Sequence, residues 1–156
     1  MSTRKLAVVA IGLWALTLIG AGVIFVRGKT APASDGRRAV LLTPAERDLV
    51  LGEMRSMLTA VHGVVAGLSA KDMKQVSSAA RAGGMGMAVD DDPVFLAKLP
   101  LDFKRLGMQA HDEFDKMAEA ADSGADGEVV LERLSQQLTR CIACHSAYRL
   151  EASPES

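Results

Sequence analysis

Aromatic side chains are scarce in this 156-residue chain, which has four Phe, one Trp and one Tyr. Cysteine is scarcer still. Both copies fall within one five-residue motif, so no disulfide framework can be built. Runs of β-branched residues alternating with polar ones are missing, which removes the pattern expected of a half-buried sheet. The apolar content comes instead from Ala, Leu, Val and Met, and that composition favours helices throughout. There is no internal repeat and no low-complexity segment, and the length suits one domain of ordinary size plus its ends.

The net charge of −1 hides an asymmetry. Residues 1–43 carry six basic side chains (Arg4, Lys5, Arg27, Lys29, Arg37 and Arg38) against Asp35 alone. From residue 44 onward, 12 Lys and Arg face 18 Asp and Glu, leaving this part near −6. Such an acidic body argues against nucleic acid and for a protein partner with a basic docking face.

Residues 6–26 are uncharged and mostly apolar. As a helix they span about 31 Å, matching a hydrocarbon core of about 30 Å. The rival is a cleaved signal peptide ending at Ala31-Pro32-Ala33, with Ser34 as the new N-terminus. Against it, the apolar stretch exceeds the usual signal core, and Arg27 and Lys29 intervene before the site. We therefore expect residues 1–26 to be a membrane anchor. Arg4 and Lys5 favour a cytoplasmic N-terminus, while the four basic residues on the far flank weakly oppose it. Residues 27–43 mix Gly, Pro, Ser and charges without periodicity, so a flexible linker is expected, with an end-to-end distance on the order of 20–25 Å.

Residues 44–156 read as helices with clear punctuation. Thr43-Pro44-Ala45-Glu46 is a capping box with Pro at the first helical position. It opens a helix whose stripe is Val50, Met54, Met57, Val61, Val64 and Leu68. Ser69-Ala70-Lys71-Asp72 reads as a second capping box, opening a helix that Gly83-Gly84 ends. A short helix after Asp92-Pro93 is expected within the connection over 83–100. The next helix follows Pro100, has Phe103, Leu106, Ala110, Phe114, Met117 and Ala121 inward, and closes at Ser123-Gly124. The last opens near Asp126 and carries Leu131, Leu134, Leu138, Cys141, His145 and Tyr148. The expectation is an all-α fold: an antiparallel four-helix bundle preceded by one transmembrane helix.

Cys141-Ile142-Ala143-Cys144-His145 is C-x-x-C-H, the attachment signature of c-type haem. On a helix the thiols at i and i+3 share a face and can each add to a haem vinyl group. His145, four residues after Cys141, then sits under the iron as proximal ligand. A thioredoxin-type pair would want a βαβ setting and a helix N-terminus. Structural zinc would need a fourth ligand, for which His62 and His111 are the candidates. Simple burial of two thiols is the third competitor.

The stretch Cys141 to Arg149, CIACHSAYR, resembles the C-terminal signature of class II c-type cytochromes, the cytochrome c-prime group, in which Tyr-Arg follows the motif as Tyr148-Arg149 do here. The resemblance implies a four-helix bundle and one covalent haem c on Cys141 and Cys144, with His145 on the iron. It also implies export, with the haem domain on the periplasmic side of a bacterial cytoplasmic membrane. The family divides into electron carriers with a distal methionine from the first bundle helix and open-site members that bind nitric oxide or carbon monoxide. Met54 and Met57 are the methionines on that stripe. Met54 is preferred because the inward positions after it, Met57, Val61, Val64 and Leu68, step by 3, 4, 3 and 4 as in the family.

Arg149 could pair with a haem propionate or be a cation at a helix C-terminus. His62 and His111 lie beside their helix stripes and read as partly exposed helical histidines rather than sixth ligands. Met85 and Met87 hint at copper but read as gap-filling, and Asp90-Asp91-Asp92 reads as a solvated turn and helix cap. Tyr148 could stack on the haem or cap the core. No acid/base pair or nucleophile constellation stands beside the motif. The expected function is therefore one-electron transfer, not enzymatic catalysis, with a gas-binding module as the alternative. Its partners would be membrane-bound respiratory or photosynthetic complexes, and a homodimer is a further candidate assembly.

Overall fold

The computed structural model describes residues 2–88 and 92–153. Helix α1 (Thr3–Arg27) contains the apolar run and buries none of its residues in the protein. By length and composition it suffices for a membrane span or a signal sequence. Helix α2 (Pro44–Ala70) passes the same test, but its Val50, Ala60, Val64 and Gly67 are buried, as in a core helix.

Between α1 and α2 the chain departs from the expected flexible linker. Strands β1 (Thr30–Pro32) and β2 (Arg38–Leu42) form an antiparallel hairpin, with Thr30 opposite Val40. Strand β3 (Tyr148–Ala152) pairs with β2 in parallel, Arg38 opposite Tyr148 and Leu42 opposite Ala152. The chain is thus mostly helical with a small three-stranded sheet in the order β1-β2-β3, and not all-α. The cause is burial. Ala39, Val40 and Leu42 are fully buried, and their backbone finds its partner at the far end of the chain, where local periodicity gives no sign of it.

The capping box of α2 is closed in both directions. Thr43 Oγ1 accepts from the Glu46 N–H at 3.2 Å, and Glu46 Oε2 accepts from the Thr43 N–H at 2.8 Å. Lys98 Nζ adds a partly buried ion pair to Glu46 at 2.7 Å. The second capping box is a correction. Helix α2 runs on through Ser69 and Ala70, Lys71 turns the chain in the left-handed region at φ 57°, and α3 (Met73–Arg81) is capped by Asp72. The Asp72 carboxylate accepts from the N–H groups of Lys74 and Gln75, both at 3.0 Å, which satisfies two orphan donors at the start of α3.

A 3-10 turn at Met85–Met87 follows Gly83-Gly84. Asp92 caps the short helix α4 (Pro93–Lys98) by accepting from the Val94 N–H, as expected, while Asp90 and Asp91 lie outside the described residues. Helix α5 (Leu101–Asp122) buries Phe103, Ala110, Phe114, Met117 and Ala121 from the expected stripe, with Leu106 half-buried. Helix α6 (Gly127–Ala147) is rotated from expectation. Val130, Leu134 and Gln137 are its buried residues, whereas Leu131, Leu138 and His145 are exposed. Stripes 130/134/137/141/144 and 131/134/138/141/145 share two members, and only packing on α5 decides between them.

Helix α3 packs between α2 and α5, and α5 packs on α6, while α2 and α6 meet sparsely. One core joins these helices through Val64, Val76, Phe114, Met117, Val130 and Leu134. A second, built from Val40, Leu42, Val50, Phe95, Leu99 and Phe103, is flanked by Met54, Cys144 and Tyr148.

The end of α1 is seated on this second core. Lys29 N–H donates to Lys98 O at 2.7 Å, and Lys104 Nζ lies 3.9 Å from the centre of the Phe25 ring. Gly28, at φ 61° and ψ −167°, makes the turn. That conformation is essentially reserved for glycine, and an added Cβ would collide with Lys98 O and Pro100 N. Gly28→Ala should therefore lower stability by about 1–3 kcal/mol from backbone strain alone. Chemical denaturation of the full chain in detergent micelles reads this as an earlier midpoint. An unchanged midpoint would show that the seat of α1 contributes nothing.

Candidate functional site

The end of α6 carries the motif on a half-buried face. Cys141 and Cys144 are both free and half-buried, while His145 is exposed. Burial pushes both thiols above their ordinary pKa, so they stand as neutral SH groups. A redox-active C-x-x-C needs the opposite shift, and its helix N-terminus is also missing, since this motif ends a helix. Among the described residues no three His, Cys, Asp or Glu are gathered as a metal-binding group.

Two cavities flank the motif where α2 and α6 stand apart. One, of about 170 Å³, is lined by Leu51, Met54, Phe103, Cys144, His145 and Tyr148, with Arg37 and Arg149 at its edge. The other, of about 90 Å³, lies among Met54, Met57, Leu106, His111, Arg140 and both cysteines. Met54, Phe103, Cys144 and His145 border both. The structure therefore brings Cys141, Cys144, His145, Met54 and Met57 together, and Met54 has the more central position of the two methionines.

Three further groups belong to the site and were not anticipated for it. His111 was expected to be partly exposed, but it is buried and lines the 90 Å³ cavity. Its Nδ1 lies 2.8 Å from Gly83 O. A carbonyl can only accept, so Nδ1 carries a proton and Nε2 is the ring nitrogen left facing away from this bond. His111 adjoins the α5 stripe through Ala110 and Phe114, and close approach of the Gly83 turn closes over it. His62 is exposed, as expected.

Arg140 is the second. Its Nη2 is 3.6 Å from Glu113 Oε2, and Arg133 Nη1 is 2.8 Å from Glu113 Oε1. The buried Arg140 Nη1 has no hydrogen-bond partner among the described residues. The signal was present in the sequence, since Arg140 directly precedes the motif.

The third is a clasp from the β1–β2 turn. Arg37 Nη1 donates to the backbone oxygens of His145 at 3.2 Å and Tyr148 at 3.4 Å. Asp35 holds Arg37 through Nε and Nη2 at 3.0 and 2.7 Å, and Arg149 Nη1 is 3.3 Å from the same carboxylate. Arg149 also pairs with Glu151 at 3.1 Å. It lies on β3 rather than on a helix end, because α6 stops at Ala147 and Tyr148 begins the strand. Tyr148 packs edge-on against Phe103, ring centres 5.5 Å apart.

This donor set fits haem. Two thiols at i and i+3 and an imidazole at i+4 border apolar space wide enough to meet α2 and α5. Met54 borders both cavities and His111 the smaller, and Arg37, Arg140 and Arg149 are the cations beside them. No family model, curated protein or solved structure matches the chain.

The clasp has a pH signature. The side-chain hydrogen bond from Arg37, then that from its backbone N–H, lowers the Asp35 pKa from its ordinary 3.8 to about 2. Because the folded value is depressed, the clasp stabilises fully above about pH 4 and loses its contribution as pH falls from 3.8 towards 2. Carboxyl NMR should give an Asp35 midpoint near 2 in the wild type, returning towards 3.8 in Arg37→Ala. A normal wild-type midpoint would dissolve the clasp.

Proposed function

We propose that this protein is an electron-transfer c-type cytochrome of the class II, cytochrome c-prime-like kind, in which α2, α3, α5 and α6 act as a four-helix bundle around one haem. The observation that carries this reading is the convergence of Cys141, Cys144 and His145 on one helix end bordering two apolar cavities that Met54 shares. Bound haem would supply a one-electron iron couple.

The chain's own residues have these tasks. Cys141 and Cys144 would hold the group by thioether bonds, and His145 would ligate its iron. The Arg37 bond to the His145 carbonyl holds the last turn of α6 in place. Met54 is the preferred second ligand, and a thioether together with the histidine would raise the reduction potential. Arg140, whose Nη1 is buried and unpaired among the described residues, is the cation most in need of an anionic partner. The chain is not proposed as an enzyme. α1 anchors it in the membrane with the haem domain on the periplasmic side, where a redox partner with a basic face meets the acidic body.

A second reading draws support from His111. A buried imidazole whose Nδ1–H is fixed on a backbone carbonyl has the arrangement typical of metal-ligating histidines. If it occupied the distal position, the iron would be bis-histidine and the potential lower.

The central claim is tested by acid–acetone extraction, in which haem should stay on the wild-type protein. Full extraction, or covalent haem surviving in a Cys141→Ala/Cys144→Ala variant, sinks it.

The distal assignment is tested by the weak sulfur-to-iron charge-transfer band of the oxidised protein. Met54→Ala should abolish the band and Met57→Ala should leave it. Loss in Met57→Ala alone moves the ligand one turn along α2. A wild type without the band, whose low-spin spectrum is lost in His111→Ala, favours the histidine, and rapid carbon monoxide binding by the wild type favours the open-site gas-binding alternative.

A further inference from the structure

The four basic residues that follow the apolar run, Arg27, Lys29, Arg37 and Arg38, are unusual for an outer flank, and the haem reading leaves most of them without a role. The structure gathers three of them. Arg27, Arg37 and Arg38 line an open cleft of about 750 Å³ together with Asp102, Ala147 and Tyr148. Asp35 occupies Arg37, and Asp102 lies 3.8 Å from Arg105. Arg27 and Arg38 have no carboxylate partner among the described residues, so the cleft keeps an excess of positive charge.

Its level relative to a bilayer follows from α1. The apolar run ends at Val26. A hydrocarbon core of about 30 Å within a bilayer of about 40–45 Å leaves a headgroup layer of about 5–8 Å on each side. Arg27 is the first residue past the apolar run, and Gly28 then turns the chain so that Thr30–Pro32 forms a wall of the same cleft. The Lys104–Phe25 contact and the Lys29–Lys98 hydrogen bond seat the domain on this end of α1, so with α1 in a bilayer the cleft would open near the depth of the lipid phosphates. Guanidinium groups pair with phosphate through parallel hydrogen bonds.

We propose that this cleft binds the headgroup of an anionic phospholipid in the leaflet at the C-terminal end of α1. The proposal rests on the anchor reading and not on the haem. Free phosphate is the lesser candidate, because the cleft is far larger than one ion and opens beside the membrane helix. The cleft shares Arg37 and Tyr148 with the 170 Å³ cavity, so an occupied cleft adjoins the clasp on His145.

The test reconstitutes the full chain in phosphatidylcholine bilayers containing spin-labelled phosphatidylglycerol or spin-labelled phosphatidylcholine, and compares the motionally restricted fraction of each. The wild type should prefer the anionic probe roughly five- to thirtyfold, as expected for one or two effective cations at the surface. Arg27→Gln/Arg38→Gln should bring the ratio near one. Arg38→Gln alone, which leaves α1 untouched, should give an intermediate value, and Arg4→Gln/Lys5→Gln at the opposite end should change it little. No preference in the wild type, or a preference lost only in the Arg4/Lys5 variant, overturns the proposal. Displacement of the probe by inorganic phosphate, but not by chloride of equal ionic strength, also overturns it, in favour of a free-anion site. A chain that restricts neither lipid does not span the bilayer, and then the anchor reading falls together with the cleft.

Discussion

The parallel pairing of β2 with β3 is the constraint on which the rest of the arrangement depends. Strand β2 directly precedes α2, and β3 directly follows α6, so one ladder sets the ends of both helices that border the motif. Its register fixes where α6 must stop: Tyr148 has to be extended to lie opposite Arg38, and the helix therefore ends at Ala147, two residues after His145. The hairpin that supplies β2 also supplies Arg37, which satisfies the His145 carbonyl that the helix end leaves without an intrahelical donor. The same hairpin begins three residues after α1, so α1, sheet and motif are joined through a few fully buried positions.

Electrostatics at the motif follow from burial more than from net charge. The clasp pairs of Asp35, Arg37 and Arg149 are solvent-screened, and such pairs add little to stability, so their effect is geometric. Glu113 is different. It is buried, with Arg133 at 2.8 Å and Arg140 at 3.6 Å, and removing one partner from a buried charge cluster is far more costly than losing a surface pair. Two guanidinium groups share this carboxylate, and among the described residues Arg133 Nε and Arg140 Nη1, the latter beside the 90 Å³ cavity, are left without a hydrogen-bond partner. A second anion at that edge would complete the cluster.

Much of the helical layout was legible because its signals are local. Thr43 with Glu46, Asp92 before Pro93, and the Gly83-Gly84 and Ser123-Gly124 breaks each act within one turn, and the boundaries fall beside them. The α5 stripe was legible because an unbroken row from Phe103 to Ala121 admits one face. What failed depends on distant partners. Residues 38–42 form a strand only because 148–152 lie beside them. His111 is buried only because the Gly83 turn folds over it. The α6 stripe was one row out, since Leu131 and Leu138 match the heptad as well as Val130 and Gln137 do, and a buried Gln is not what hydrophobic periodicity selects. The motif itself was fully legible, yet its setting between two cavities was not, because that space comes from the sparse meeting of α2 and α6.

The two candidate donors, Met54 and His111, are held differently. Met54 is half-buried on α2 and borders both cavities, and a methionine with three rotatable bonds can reach into either without moving the backbone. His111 is already fixed: its ring is tied to Gly83 O, and shifting it would strand a buried N–H. It also borders only the smaller cavity, on the side of Ala110 and Leu106, whereas His145 borders both. His145 and Met54 therefore border the two cavities together, while His111 borders the smaller one alone. For the haem proposed above, the adaptable donor shared by both cavities would be better placed than the rigid one. The imidazole depends on the Gly83 turn, because Gly83 lies tightly against Ala60 and Phe114, where an added Cβ would meet both at 3.0 Å, and its carbonyl sets the position of the ring.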